Sequence, residues 1–347
     1  MGPVRLAAAK AWRTYLGGSM IGALHGDTDA RDSHFPEEWI MSVTAARNAG
    51  REYILNEGMS VETDTGRYLK DLIEQNPKQL LGTAHFEKYG SNTGVLIKLI
   101  DSAERLSIQV HPNKEMAKKW FQSDYGKTEC WHILGGREVD GEKPCIYFGF
   151  KKGVTESQWR QVFEKQDIPQ MLDCLNRIEV SPGETWLILG GVPHAIGAGC
   201  FLMEIQEPTD YTLRMERSTP SGLVIDDWMC HQGIGFDHMF ECFSYEGRTP
   251  KEVREAFCIP PRGNVLIGHD RTDCFQLERL EVCGDLQVEA ETVFSGIYIL
   301  EGSGMLECEG ESSLLRAGDQ FFIPAGCKYI LQAQDRLLAA RFFGPAV

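Results

Sequence analysis

The chain has 347 residues, 42% of them hydrophobic and 24% charged, which excludes general disorder, collagen-like repeats and a coiled-coil rod. At about 150 residues per domain the length predicts two domains, or one enlarged by insertions. Asp plus Glu outnumber Lys plus Arg by 50 to 35, so neither nucleic acid nor an anionic membrane is an expected partner, whereas an anionic small molecule held by a local cluster of cations is compatible.

In chain order, residues 67–81 carry helical spacing broken at Pro77. Residues 95–100 and 105–111 read as strands, and 113–122 as a short helix after His111 and Pro112. A strand at 145–150 precedes the stretch 155–177. There Trp159, Val162 and Phe163, then Met171, Leu172 and Leu175, recur at steps of three and four. That spacing predicts two helices, the second opened by Pro169. Strands follow at 185–189, 200–206 and 211–216. Thr249 and Pro250 look like a helix start, and 258–263 like a linker. Further strands are expected at 275–282, 287–290, 296–300, 305–308, 320–323 and 336–343. Many short, closely spaced strands predict a mainly β sandwich or barrel.

No apolar run approaches the ~20 residues of a membrane span. Lys10 and Arg13 interrupt the apolar start at Leu6, which argues against a signal peptide, and Leu6 itself argues against myristoylation. The 11 cysteines form no C-x-x-C pair, so reduced, buried thiols in the cytoplasm are expected.

An internal repeat refines the architecture. Gly183 to His194 aligns without gaps on Gly318 to Tyr329: a glycine–acid turn, a short apolar strand, a second glycine turn, then a polar residue. The match predicts two related β barrels. This spacing resembles the second motif of the cupin superfamily of jelly-roll barrels, in which the final position is a metal-binding histidine. The resemblance implies a metal at His194 and none in the second barrel, which has Tyr329. The expected division is a catalytic barrel over 1–249, with a helical insertion around 154–178, and a metal-free cupin-like barrel over 250–347.

Candidate chemistry lies in four segments. Between Leu106 and His111 the pattern alternates, so Ser107, Gln109 and His111 share one strand face. That face is either a solvated edge or a ligand set. Lys127 to His132 offers Glu129 between a cation and the large aromatic Trp131. His194 stands at a glycine-bounded turn. Two imidazoles and a glutamate, joined by the neutral amide of Gln109, suit a zinc site that keeps an open position. His132 and Glu115 are nearby alternatives, the first better read as a hydrogen-bonded strand residue and the second as part of a surface helix. Finally, Glu204, Gln206, Asp210, Thr212 and Arg214 share parity. They point one way if the register survives Pro208, and otherwise form a solvated face with an Asp–Arg pair.

The motifs around Gln109, Glu129, His194 and Arg214, in this order, resemble type I mannose-6-phosphate isomerases of the shorter bacterial branch. Segments 13–18, 36–42 and 95–101 also resemble that family. The resemblance implies one zinc per chain on Gln109, His111, Glu129 and His194. It implies an active-site arginine at Arg214, an active-site acid at Glu204 and a second cation at Lys127. Ser107 and Lys98 fall near its sugar-phosphate site, which is otherwise only partly transferable. The implied reaction interconverts mannose 6-phosphate and fructose 6-phosphate through a cis-enediol. The glycines at 197 and 199 are too few for a dinucleotide fingerprint. Two other classes fit the same residues: an iron-dependent oxygenase on a double barrel, and a sugar-binding protein without activity. The sequence is silent on oligomeric state.

Overall fold

Three antiparallel sheets account for the strand-rich pattern in a computed structural model, which describes residues 2–48 and 50–347. Six strands form the first sheet, in the order Ala9–Ala11, Glu37–Ile40, Leu96–Asp101, Cys200–Gln206, Glu129–Gly136 and Thr185–Ile188. Its central strands are buried on both faces. Alternation therefore sorts side chains between two interiors rather than between core and solvent. Ile97, Leu99, Cys130, Met203 and Ile205 go to one apolar layer, and Ile100, Trp131, Ile133 and Leu202 go to the other.

The second apolar layer is closed by a five-stranded sheet, in the order Leu213–Arg214, Gln109–Val110, His194–Ile196, Cys145–Phe150 and Leu175–Glu179. Ile146, Phe148, Ile178 and Ile196 from this sheet pack on Trp131 and Leu202 of the first. The helices Glu156–Lys165, Ile168–Asp173 and Phe236–Glu241 cover its other face. They bury Trp159, Val162, Phe163, Met171 and Phe240 against Val110, Ala195 and Leu213.

The third sheet has eight strands and is built mostly from the last hundred residues, including the long strands Ser295–Cys308 and Tyr329–Phe343. Its first member, Val4–Leu6, comes from the other end of the chain and pairs with Gln320–Phe322. One terminal strand of the 1–249 segment thus joins the C-terminal sheet. The two copies of the repeat adopt the same form. Gly183 and Gly318 have φ of 90° and 91°, Gly191 and Gly326 have 93° and 77°, and His194 and Tyr329 each begin a strand. Only glycine takes those turns without strain.

Several boundaries differ from the sequence pattern for identifiable reasons. The expected strand 105–111 shrinks to Gln109–Val110, because Ile108 N–H donates to the Glu216 carboxylate at 2.6 Å instead of to a neighbouring strand. The strand 211–216 shrinks to Leu213–Arg214, with Thr212 N–H drawn to the Gln232 side chain. Leu175 opens a strand rather than closing a helix. The helix after Thr249 is as expected, closed by a capping box between Thr249 and Glu252.

The layer between the six- and eight-stranded sheets includes the fully buried Phe342, packed with Phe294 and Phe322. Phe342→Ala should cost about 3–5 kcal/mol, measured by denaturant unfolding. A loss within experimental error would show that this layer is not part of the cooperative core.

Candidate active site

Register brings the candidate residues together. Arg214, Gln109 and His194 lie directly opposite one another on three neighbouring strands, with Gln109 in the middle, so their side chains share the inner face of the five-stranded sheet. On the facing sheet, Lys98, Glu204 and Trp131 form one rung, and Glu129 is opposite Gln206 on the next. Between the sheets lies a narrow polar cavity that opens to solvent. Ser107, Gln109, Lys98, Lys127, Glu204, Asp210 and Arg214 line it, together with Arg13 and Glu37. Beside it, near Trp228, lies a wider cleft, the two sharing Thr14, Asn48, Asp210 and Arg214.

Next to Gln109 and Lys127 of the cavity wall, the Glu129 carboxylate sits 3.2 Å from His111 Nε2 and 3.3 Å from His194 Nε2. All three residues are buried. His111 Nδ1 donates to the Tyr211 carbonyl at 2.7 Å, and His194 Nδ1 to the Val192 carbonyl at 2.8 Å. In the neutral rings this leaves a lone pair on each Nε2. Burial pushes both imidazoles down, His111 to about 3 with help from the nearby Lys127 ammonium, so both are neutral at pH 7. Burial would raise Glu129, but Lys127 and the two histidines outweigh it and hold the carboxyl below its usual range. Neither Glu129 oxygen has a hydrogen-bond partner.

Gln109 reaches His194 Nε2 at 3.3 Å through its amide, and a half-turn about the last bond offers the amide oxygen to the same point. Converging acceptors with no hydrogen between them are what a divalent cation requires. The donor set therefore fits a metal ion held by His111, Glu129 and His194, with Gln109 adjacent. Lys127 Nζ stands beside it, 3.0 Å from His111 Nε2 and 3.4 Å from Glu129 Oε2.

Glu204 and Arg214 face the same cavity, but not along one strand as parity suggested. The chain leaves its strand after Gln206, and the two side chains project from opposite walls. Glu204 is bound by Lys98 Nζ at 3.2 Å and Trp131 Nε1 at 2.9 Å. Burial pushes its carboxyl up, and Glu129 adds to that. Arg214 Nη1 donates to the carbonyls of Thr212 and Met229, and burial lowers its pKa. Gln206 turns aside to the carbonyls of Glu207 and Thr209. The Ser107 hydroxyl is buried without a partner. His132 bonds Thr185 Oγ1 at 2.9 Å, and Glu115 is exposed on the helix Lys114–Phe121.

Sequence reasoning missed a second charged cluster. Arg13 donates to Glu37 Oε2 at 2.9 Å and holds Asp210 in a two-pronged pair at 3.1 and 3.2 Å. Glu37 also accepts from Tyr15 at 2.8 Å and from Trp39 at 2.7 Å. Arg13 and Glu37 fall in segments with family resemblance, yet no spacing links residues so far apart in the chain.

Residues 47–129 match the family model "Phosphomannose isomerase type I, catalytic domain", and residues 269–334 match "Mannose-6-phosphate isomerase, cupin domain". GmuF of Bacillus subtilis, named a probable mannose-6-phosphate isomerase, is 29% identical, covering 70% of this chain and 73% of its own. A mannose-6-phosphate isomerase of Streptococcus mutans is 24% identical over 72% and 75%. The fold superposes on the crystal structure of the Bacillus subtilis mannose 6-phosphate isomerase with a TM-score of 0.72 at 20% identity, covering 98% and 99% of the two chains. A zinc-bound mannose 6-phosphate isomerase gives 0.74 at 16% identity, covering 99% and 100%.

The Glu37 cluster makes a pH prediction. Burial pushes Glu37 up, but Arg13, Lys98 and the Trp39 hydrogen bond bring it from 4.5 down to about 2. A depressed carboxyl adds stability that is complete above about pH 4.5 and disappears as pH falls toward 2, worth roughly 3 kcal/mol in all. Glu37→Gln should flatten the acid limb of the stability curve in that window. An unchanged acid limb would mean that Glu37 is not held ionised by its partners.

Proposed function

This chain belongs to the type I phosphomannose isomerase family, and on that premise we propose that it interconverts mannose 6-phosphate and fructose 6-phosphate at a zinc ion held by Gln109, His111, Glu129 and His194. The observation that carries this reading is the buried Glu129 carboxylate, without a hydrogen-bond partner among the described residues, between two imidazole lone pairs and beside Gln109 and Lys127, which line the cavity.

The reaction moves a proton between C1 and C2 through a cis-enediol, and negative charge develops on the substrate oxygens as it does so. Zinc bound there would supply Lewis acidity toward those oxygens. Lys127 presents an ammonium at the same point and offsets the developing charge. Among the described residues Arg214 has no carboxylate within hydrogen-bond distance, and it keeps donors for the sugar. Arg214 is anchored by backbone carbonyls and presents its guanidinium to the sugar oxygens. Glu204 fixes Lys98, and the free hydroxyl of Ser107 donates to the sugar phosphate beside it.

We take 1–249 as the catalytic unit, with the helices near 154–178 as its insertion, and 250–347 as a barrel without metal. The support for the second part is Tyr329 at the position of His194. A cytoplasmic location fits the thiols, nine of which are buried.

The protein as purified should hold about one zinc per chain. His111→Ala and His194→Ala should each lose metal and activity, and full zinc occupancy in the double variant would sink the ligand assignment. A coupled assay should show mannose 6-phosphate isomerisation abolished by chelation and restored by zinc.

Arg214→Ala should lower kcat by at least ~100-fold with zinc content and melting temperature little changed. Lys127→Met with saturating zinc should still bind sugar phosphate and turn over slowly, kcat falling more than KM rises. Recovery of most of the wild-type kcat would remove Lys127 from the catalytic group.

A further inference from the structure

The stretch Gln206 to Tyr211 leaves the six-stranded sheet and crosses toward the five-stranded one, and its polar groups meet the two segments that flank the metal centre. Glu207 is the most committed of them. The residue is 1% exposed. Oε2 accepts from Thr128 N–H at 2.9 Å, and Oε1 accepts from Gly126 N–H at 3.3 Å. Its own N–H donates to the Thr128 carbonyl at 3.0 Å. Thr209 Oγ1 adds a bond to the Gly126 carbonyl at 2.6 Å. Its nearest cation, Lys114 Nζ, is 4.0 Å away and half exposed.

The two amides held by Glu207 are those on either side of Lys127. From the other direction, Lys127 N–H donates to the Pro112 carbonyl at 3.0 Å. Gly126 is pressed so close to this neighbour that a Cβ would lie 2.8 Å from the Pro112 carbonyl oxygen and the Lys114 nitrogen. The backbone carrying Lys127 is thus clamped between Pro112–Lys114 and Glu207. With the backbone fixed, the ammonium reaches His111 Nε2 and Glu129. A carboxylate held by backbone amides makes stronger bonds than a neutral acceptor would.

We propose that Glu207 is a positioning residue: it holds the backbone on both sides of Lys127 so that the ammonium is aimed at the metal centre and the reacting oxygens. This rests on the isomerase reading above. Glu207 does not line the cavity and touches neither a ligand side chain nor the substrate space.

The test is a double-mutant cycle with Lys127. Glu207→Gln keeps size and one acceptor oxygen but turns an NH₂ against one of the two amides. In the zinc-loaded enzyme it should lower kcat by about 10-fold, with KM within about twofold and zinc content unchanged. In the Lys127→Met background the same change should have almost no further effect on kcat, because the side chain it positions is gone. Thr209→Val should give a smaller loss with the same masking, and it carries the cycle if Glu207→Gln does not fold. Hydrogen exchange at the Gly126 and Thr128 amides should quicken in Glu207→Gln. Multiplying effects in the cycle, or unchanged exchange at these amides, would overturn the proposal. A wild-type protein inactive on mannose 6-phosphate would instead overturn the functional reading, while the exchange measurement would still report on the clamp.

Discussion

The Glu129 carboxylate lies between two imidazole nitrogens, and none of the three groups can donate a hydrogen to another. Each ring is committed through its Nδ1 to a backbone carbonyl, one from Tyr211 and one from Val192. Those two bonds fix the tautomers and so force lone pairs toward the carboxylate. Buried acceptors facing each other without a donor are costly, and the arrangement persists only where cations offset it. Lys127 is the cation at this point among the described residues. Much of the surrounding chain follows from that requirement. The Val192 turn must bring its carbonyl back to His194, the 207–211 stretch must bring Tyr211 to His111, and the backbone before Glu129 must carry Lys127 inward.

The six-stranded sheet supports this because both of its faces are covered. Its inner face can carry Lys98, Glu129, Glu204 and Glu37 only if each charge has a partner. Lys98 lies against Glu204, and Arg13 ties Glu37 to Asp210 across the cavity. The outer face is largely apolar, and its buried polar residues have partners: Glu38 takes His25 Nε2 at 2.5 Å and Gln320 Nε2 at 3.4 Å, and His132 takes Thr185 Oγ1 at 2.9 Å. A sheet with this sequence could not stand against water on its outer side, since Ile97, Leu99, Met203 and Ile205 would be exposed together. The eight-stranded sheet covers them, and the strand Val4–Leu6 stitches the start of the chain into that cover.

The parts of the site legible in the sequence are those set by short-range periodicity. Ser107, Gln109 and His111 alternate with apolar residues; the first two line the cavity and His111 meets Glu129 beside it, even though only Gln109 and Val110 keep strand pairing. Lys127 and Glu129 are two apart and meet beside His111. The step from Glu204 to Arg214 worked for a different reason than the parity suggested: the chain crosses from one sheet to the other, and the two residues face each other across the cavity. Gln206 shares that parity and is turned aside. Arg13, Glu37 and Glu207 could not be read this way. Arg13 meets Asp210 from the far end of the chain, and Glu207 looks like one more polar residue beside Pro208 until its two amide partners are known.

The repeat shows the same division between what a turn fixes and what a site requires. Gly183 to His194 and Gly318 to Tyr329 share their glycine conformations and strand starts, so the backbone delivers a polar side chain to the same place in both barrels. In the first barrel that side chain meets a carboxylate, a second imidazole and an ammonium from separate segments. In the second, Tyr329 is packed among Val288, Ile323 and Leu331, with its hydroxyl unpartnered. A cation needs several donors at one point, and the turn contributes only one of them. The chemistry therefore resides in the pairing of the two sheets around the first copy. The second copy keeps the shape of the motif, and its sheet serves to cover the outer face of the first.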